Sequence, residues 1–148
     1  MSSELRVNVL RGSTANGNIT IQGEGASNLG GATMQLQQGL AKVWCAFSTS
    51  TGTPTISDSL NSTSLTDNDG GDTTIVYTSN MLAAKSYTVS GLAANATDVT
   101  NFIYSSQPKQ DDSVATGSVR LVQVYVGASS AANSDIAYVC NIIHGDLA

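Results

Sequence analysis

At 148 residues the chain suffices for one domain, or one domain with an arm, and can bury about 70% of its extended surface without metals or crosslinks. Charged residues make up 11%, against about 25% in ordinary globular chains, while serine and threonine fill about a quarter of the sequence. Glutamate occurs only at positions 4 and 24, so the exposed faces of long helices cannot be furnished and a mainly helical protein is excluded.

The formal charge of −5 leaves only Arg6, Arg11, Lys42, Lys85, Lys109 and Arg120 as cations, scattered along the chain. No basic stripe exists to neutralise phosphates, so nucleic acid is not an expected partner. No apolar run approaches a membrane span, and the start Met1-Ser-Ser-Glu-Leu-Arg-Val-Asn-Val9 lacks the apolar stretch of a secretion signal. Neither membrane insertion nor secretion is therefore expected.

In chain order, Leu5, Val7 and Val9 alternate with Arg6 and Asn8, the period of a half-buried strand, and Ile19 and Ile21 repeat it after Asn16-Gly17. Residues 10–39 are otherwise rich in Gly, Ser, Thr, Asn and Gln, with Gln35, Gln37 and Gln38 suiting either polar layers along an axis or a plain linker. Such a segment cannot offset an ordering cost of about 1–2 kcal/mol per residue from a core of its own. Residues 1–39 are expected to be an extended β-arm that docks on, or intertwines with, another subunit.

A head is expected over residues 40–148. In Leu40–Phe47, Ala41, Val43, Cys45 and Phe47 share one face, and Lys42 and Trp44 the other. Residues 48–53 read as a polar turn, Pro54 suits a strand's edge or start, and Ile56 marks a short strand. Ser64–Asp67, Asn68-Asp-Gly-Gly71 and Asp72–Thr78 read as a β-hairpin, because Asn, Asp and Gly supply the positive-φ conformations of a tight reversal. Further strands are expected over Lys85–Gly91 and Val99–Tyr104, separated by a turn-prone Gly91–Asp98, and one helical turn at most over Met81–Ala84. Gln107–Gly117, with Pro108, Asp111 and Asp112, reads as an exposed loop. Ser118–Gly127 alternates Arg120, Val122, Val124 and Val126 with Val119, Leu121, Gln123 and Tyr125, the two-sided character of a central strand. A small-residue loop over Ala128–Ser134, with room for one helical turn at Ala131–Asn133, and a last strand over Ile136–Ile143 complete an antiparallel β-sandwich or barrel-like head. Val43, Phe47, Leu121, Val124 and Ile142 are expected to hold that head together.

Candidate chemistry is sparse, and no cofactor is expected. His144 is the only histidine, near the C-terminus, and no Gly-x-Ser-x-Gly nucleophile context exists, so the simpler reading is a structural histidine and a non-enzymatic protein. Asp67, Asp69 and Asp72 around Gly70-Gly71 have the oxygen-rich character of a Ca²⁺ loop, but position 78 is Thr where such a loop needs a bidentate Glu. A hairpin turn needs the same residues, so no metal is assigned. Cys45 and Cys140 sit in apolar runs and read as a buried pair of thiols, with a disulfide left open. The sequons at Asn18, Asn61 and Asn95 are chance matches in a chain this rich in Asn, Ser and Thr. Trp44, with Tyr104, is the candidate interface or glycan platform; a core or interface tryptophan is the simpler reading.

The segment Leu36-Gln-Gln-Gly-Leu-Ala-Lys-Val-Trp-Cys-Ala-Phe47 resembles a signature of bacteriophage tail-fibre and virion structural proteins, in which a Gln-Gln-Gly-Leu-Ala-Lys block precedes a Trp-containing strand. The likeness continues through Asp58–Asn68, the Gly70-Gly71-Asp72 turn and Val139-Cys-Asn-Ile-Ile-His-Gly-Asp146, and Glu4–Asn8 resembles the short N-terminal strand of such chains. His144 stands where an aromatic is common, and Cys45 where a small polar or apolar residue is usual. The resemblance implies a homotrimeric fibre-like protein in the virion, assembled in the host cytoplasm and gripping a phage capsid or tail protein. For a short chain it implies capsid decoration (cement or head-fibre). The alternative is a short tail fibre or lectin-like tail tip that holds host glycan through Trp44 or the Tyr104–Asp112 region. A hydrolytic tailspike would need a carboxylate pair in a groove, for which the sequence offers no support.

Overall fold

The computed structural model describes residues 20–22, 33–35, 39–95, 103–110, 113–127 and 131–148. Leu5, Val7, Val9, Ile19, Phe102, Asp111 and Asp112 lie outside them. The chain divides into two units, residues 1–40 and 41–148. In the first, β1 (Thr20–Gln22) pairs antiparallel with β2 (Thr33–Gln35), which sets Ile21 opposite Met34.

The second unit is all-β. One sheet has four strands in the order β4-β3-β11-β7, where β3 is Val43–Ser48, β4 Thr55–Leu60, β7 Thr88–Ala94 and β11 Tyr138–His144. The other contains β5 (Ser62–Asp69), β6 (Asp72–Tyr77), β8 (Ile103–Pro108), β9 (Ser118–Val126) and β10 (Ala131–Asn133). Strand β9 is central, as its two-sided sequence requires. One edge carries β8 along Leu121–Val126; the other carries β6 along Ser118–Val122 and then β10 along Val124–Val126.

The sheets stack through their alternating inward residues. Val43, Cys45, Phe47, Val139 and Ile143 of the first meet Ile75, Tyr77, Val119 and Leu121 of the second in a single buried cluster. Each large aliphatic or aromatic group withdrawn from water here contributes about 1.5–3 kcal/mol. Met81 and Ile136, from connecting segments, are also buried in it. Tyr77 and Tyr87 meet edge to face; the Tyr77 hydroxyl donates to Tyr87, whose own hydroxyl donates to the carbonyls of Ala115 and Ser118. Burial, followed by the bond to Tyr87, keeps the Tyr77 phenol protonated far above its ordinary range.

Both margins of the sandwich are drawn together. At one, a single residue, Asn61, takes the chain from β4 to β5. Its φ of 55° is a left-handed conformation that asparagine tolerates. Its side-chain amide accepts from Ser79 N at 2.7 Å and donates to Ser79 O at 3.1 Å, clamping the crossing to the segment that follows β6. At the other margin Gly91 of β7 lies against β8, where an added Cβ would stand 2.5 Å from the Ser106 carbonyl oxygen and would also strike Asn141 Oδ1. Gly91 is thus a close-approach glycine inside a strand, which corrects the expected turn over Gly91–Asp98 for its first residues.

Other expectations are corrected too. Ala131–Asn133 forms edge strand β10 rather than a loop or helical turn. Gln107 and Pro108 end β8, and Val114 bridges Val119, so the expected loop over Gln107–Gly117 is partly sheet. Met81–Ala84, where one helical turn at most is expected, stays within that bound, and Met81 bridges Leu147. The hairpin reversal is confined to Gly70-Gly71, with Asp69 opposite Asp72. Gly71 has a φ of 66°, and a Cβ there would meet the Ser134 and Gln123 carbonyl oxygens at 2.7 and 2.8 Å. Val124 is half-buried and Ile142 is 44% exposed, so neither is a core residue.

Candidate functional site

Strand register determines which side chains stand together on the outward face of the four-stranded sheet. In antiparallel sheets directly paired residues project to the same side. Leu60, Trp44 and Ile142 are successive partners across β4, β3 and β11. In the next row, Ala46 is opposite Cys140 and Cys140 is opposite Leu92; beyond it, Tyr138 is opposite Ala94. These positions form one apolar stripe running obliquely from β4 to β7. Exposure is 77% at Leu92, 56% at Tyr138, 47% at Leu60 and 44% at Ile142, with Trp44 half-buried between its neighbours.

The only charged side chains in these rows are at the border. Lys42 lies just before β3, two residues ahead of Trp44, and Asp58 on β4 is opposite Ala46. His144, half-buried at the end of β11, is opposite Thr88. An exposed apolar patch with a polar margin has the anatomy that protein contact surfaces share.

The outward side of the other sheet, around β5, β6 and β9, is built differently. Asp72 is 2% exposed and is gripped by two cations: Arg120 Nε and Nη2 reach Oδ1 and Oδ2 at 2.7 and 2.8 Å, and Lys109 Nζ reaches Oδ2 at 2.5 Å. The forked Arg120 bond, followed by the Lys109 bond, holds the Asp72 carboxyl below its ordinary range despite burial. Asn68 Nδ2 adds bonds to Asp72 Oδ1 and Thr74 Oγ1. The cluster ties the hairpin tip to β9, and both cations already serve a carboxylate. Asp69 Oδ1 accepts from Gly70 N at 2.8 Å, as turn aspartates do. Two of the three aspartates weighed as a Ca²⁺ loop are thereby committed to the turn and its ion pairs. Among the described residues, no group of three His, Cys, Asp or Glu side chains is placed to hold a metal.

The interior contains a polar seam. Thr73 Oγ1 donates to Gln123 Oε1, and Ser106 Oγ, on the residue opposite Gln123, donates to Asn141 Oδ1. All four residues are buried, and Gln123 Nε2 and Asn141 Nδ2 have no hydrogen-bond partner. At the edge of the core, Thr49 Oγ1 accepts from Ile136 N at 2.7 Å and donates to Ile136 O at 3.3 Å.

Of the residues singled out from sequence, Trp44 is on the outward stripe, whereas Tyr104 packs against the buried core on the other sheet. The two do not form one platform. Cys45 points inward and is buried, and burial raises its thiol pKa. Cys140 points outward and is half-buried, so the expected buried pair becomes one core thiol and one stripe residue, on opposite faces and both free. Asn61 of the second sequon is occupied by Ser79. Sequence reading missed Leu60, Leu92, Tyr138, Cys140 and Ile142 as surface residues. The signal was present: in Tyr138-Val-Cys-Asn-Ile-Ile-His144 both alternating sets are largely apolar.

Comparison with known proteins returned no matching family model, no matching curated protein and no matching solved structure.

Proposed function

We propose that the protein is a non-enzymatic structural protein of a bacteriophage virion: a homotrimeric, fibre-like surface protein that serves as capsid decoration, cement or head-fibre. The observation that carries this reading is the outward stripe of Leu60, Trp44, Ile142, Cys140 and Leu92 on a charge-poor sandwich. Apolar area of that kind is stabilised by being covered with protein. Hydroxyl and amide groups elsewhere on the surface hydrogen-bond across a contact without the desolvation cost of unpaired charge. The residues 36–47 resemblance supplies the virion context. In this reading the alternating Leu5, Val7 and Val9 clamp a neighbouring chain, and several modest contacts per trimer combine through effective concentration.

Placement on the tail, as a short fibre or receptor-binding tip, is the second reading, favoured by the likeness to tail-fibre chains. A sugar platform sets an aromatic ring among hydrogen-bonding groups, whereas Trp44 is paired with Leu60 and Ile142, which favours a protein as its cover. The test uses purified particles of the source phage. Antibody against the protein is expected to decorate the particle surface, on the head for decoration and on the tail for a fibre. Full-length chain with Leu5, Val7 and Val9 all changed to Asp is expected to fold but not to copurify with particles. Absence of the native protein from particles contradicts the proposal.

A further inference from the structure

The tip of the β5–β6 hairpin sets an aspartate against the main-chain nitrogen of a glycine that nothing shields. Gly70 N lies 2.8 Å from Asp69 Oδ1, and one C–O bond of about 1.2 Å further on places the side-chain Cγ at most about 4 Å from that nitrogen. Both residues are exposed, and a Cβ built on Gly70 would meet no atom within 4 Å beyond its chain neighbours. Gly70 has no partner in the ladder, which passes from Asp69 directly to Asp72. With no side chain beside it to obstruct the approach, and with the backbone freedom of glycine, this nitrogen can close on Cγ.

Asp58-Ser59 provides an internal contrast, since Ser59 N is also 2.8 Å from Asp58 Oδ1. There, both residues are paired within β4, opposite Ala46 and Cys45. Ser59 is half-buried and carries a side chain next to the nitrogen. The strand holds that contact in place, whereas the one at the hairpin tip is free to close.

We propose that Asp69-Gly70 is a site of spontaneous backbone isomerisation, at which the folded chain converts aspartate to isoaspartate through a cyclic imide. Gly70 N attacks Asp69 Cγ, and a C–N bond forms as one carboxyl oxygen leaves as water. That water carries the amide proton and the proton of the acid form of the carboxyl. A water molecule then opens the ring. Addition at Cγ restores aspartate. Addition at the main-chain carbonyl carbon of Asp69 breaks its bond to Gly70 N and leaves the chain running through Cγ. The water released equals the water consumed, and no oxidant or cofactor takes part.

The neighbourhood decides where the extra backbone methylene goes. Gly71 is fixed: its N–H donates to Asp135 Oδ1 at 2.9 Å, its carbonyl accepts from Gln123 N at 2.8 Å, and it has no room for a Cβ. Gly70 has the open space, so the lengthened chain bulges there and leaves Asp72 bound to Arg120.

The test holds the purified full-length chain for weeks at neutral pH and physiological temperature, beside Gly70→Ala and Asp69→Glu. Isoaspartate is read by transfer of a labelled methyl group from S-adenosylmethionine with an isoaspartate-specific carboxyl methyltransferase. Its position is read by resistance to a protease that cleaves before aspartate. The native chain is expected to accumulate isoaspartate at position 69 with unchanged mass and native circular dichroism, while Asp58 stays unconverted. Unchanged mass separates this from deamidation at Asn16-Gly17, which raises it. Gly70→Ala, which fits the open space without a positive φ, is expected to slow conversion at position 69 about tenfold or more. Asp69→Glu is expected to abolish it, because closure would then need a six-membered ring. Absence of isoaspartate at position 69 in the native chain overturns the proposal, as does an undiminished rate in Gly70→Ala or equal conversion at Asp58.

Discussion

Asp72→Asn probes the ion cluster that fastens the hairpin tip. The substitution preserves size and the β6 backbone but turns one acceptor of a forked Arg120 bond into an amide donor that faces a cation. Removing one partner of a fully buried pair costs about 3–5 kcal/mol, and exposed pairs contribute about 0–1 kcal/mol. Asp72 is 2% exposed while the Lys109 and Arg120 side chains are each 40% exposed, so solvent screens part of the interaction. An intermediate loss of about 2–3 kcal/mol follows. In a domain of this size that lowers Tm by about 8–12 °C.

The loss should also depend on pH. Arg120 first, then Lys109, lowers the folded-state pKa of Asp72, so the unfolded chain takes up the proton more readily. The stabilisation is therefore complete above the ordinary aspartate value of about 3.9 and is lost as the pH falls through the lower folded value. Thermal melts followed by circular dichroism at one fixed protein concentration should separate native and Asp72→Asn chains widely at pH 7. The two curves should converge as the pH drops below about 3.9. Equal Tm at pH 7, or a separation that persists unchanged into acid, refutes the assignment.

Two further predictions concern the sandwich itself. Gly91→Ala should cost about 3 kcal/mol in urea unfolding, at the upper end of overpacking effects, because the Ser106 carbonyl that the new Cβ meets is backbone. Adding Asn141→Ala should not restore stability, and restoration would show that the side chain alone requires glycine. Thr49→Val keeps the shape of a buried side chain but strips the buried Ile136 N–H of its acceptor, for an expected loss of about 1–3 kcal/mol; a neutral outcome would mean that the hydroxyl is dispensable.

Much of the sandwich was legible in the residues because alternation reports burial directly. Val43, Cys45 and Phe47, then Val119 and Leu121, fall at every second position and are buried, and Gly70-Gly71 marks the reversal where the structure has it. What escaped was set by neighbours rather than by local sequence. Ala131–Asn133 has no apolar alternation and becomes a strand because β9 extends beyond β6 and offers free main-chain groups there. Gly91 looked like a turn because close approach of two strands and a turn call for the same residue. The candidate surface was half legible. Trp44 stood out, but its row partners Leu60 and Ile142 belong to strands distant in sequence, and only the register shows that they are adjacent. Ile142 reads as core from sequence because both alternating sets of β11 are largely apolar, and the sequence alone does not indicate which of them faces inward. Tyr104 reads as a surface candidate because an aromatic at a strand's end carries no sign of which sheet face it occupies.

The central claim is that this chain is built to be covered by copies of itself. Sedimentation equilibrium of the native full-length protein across a wide concentration range tests it most directly. The account predicts a limiting mass of three chains of 15.2 kDa. A single species at 15.2 kDa at every concentration would contradict it.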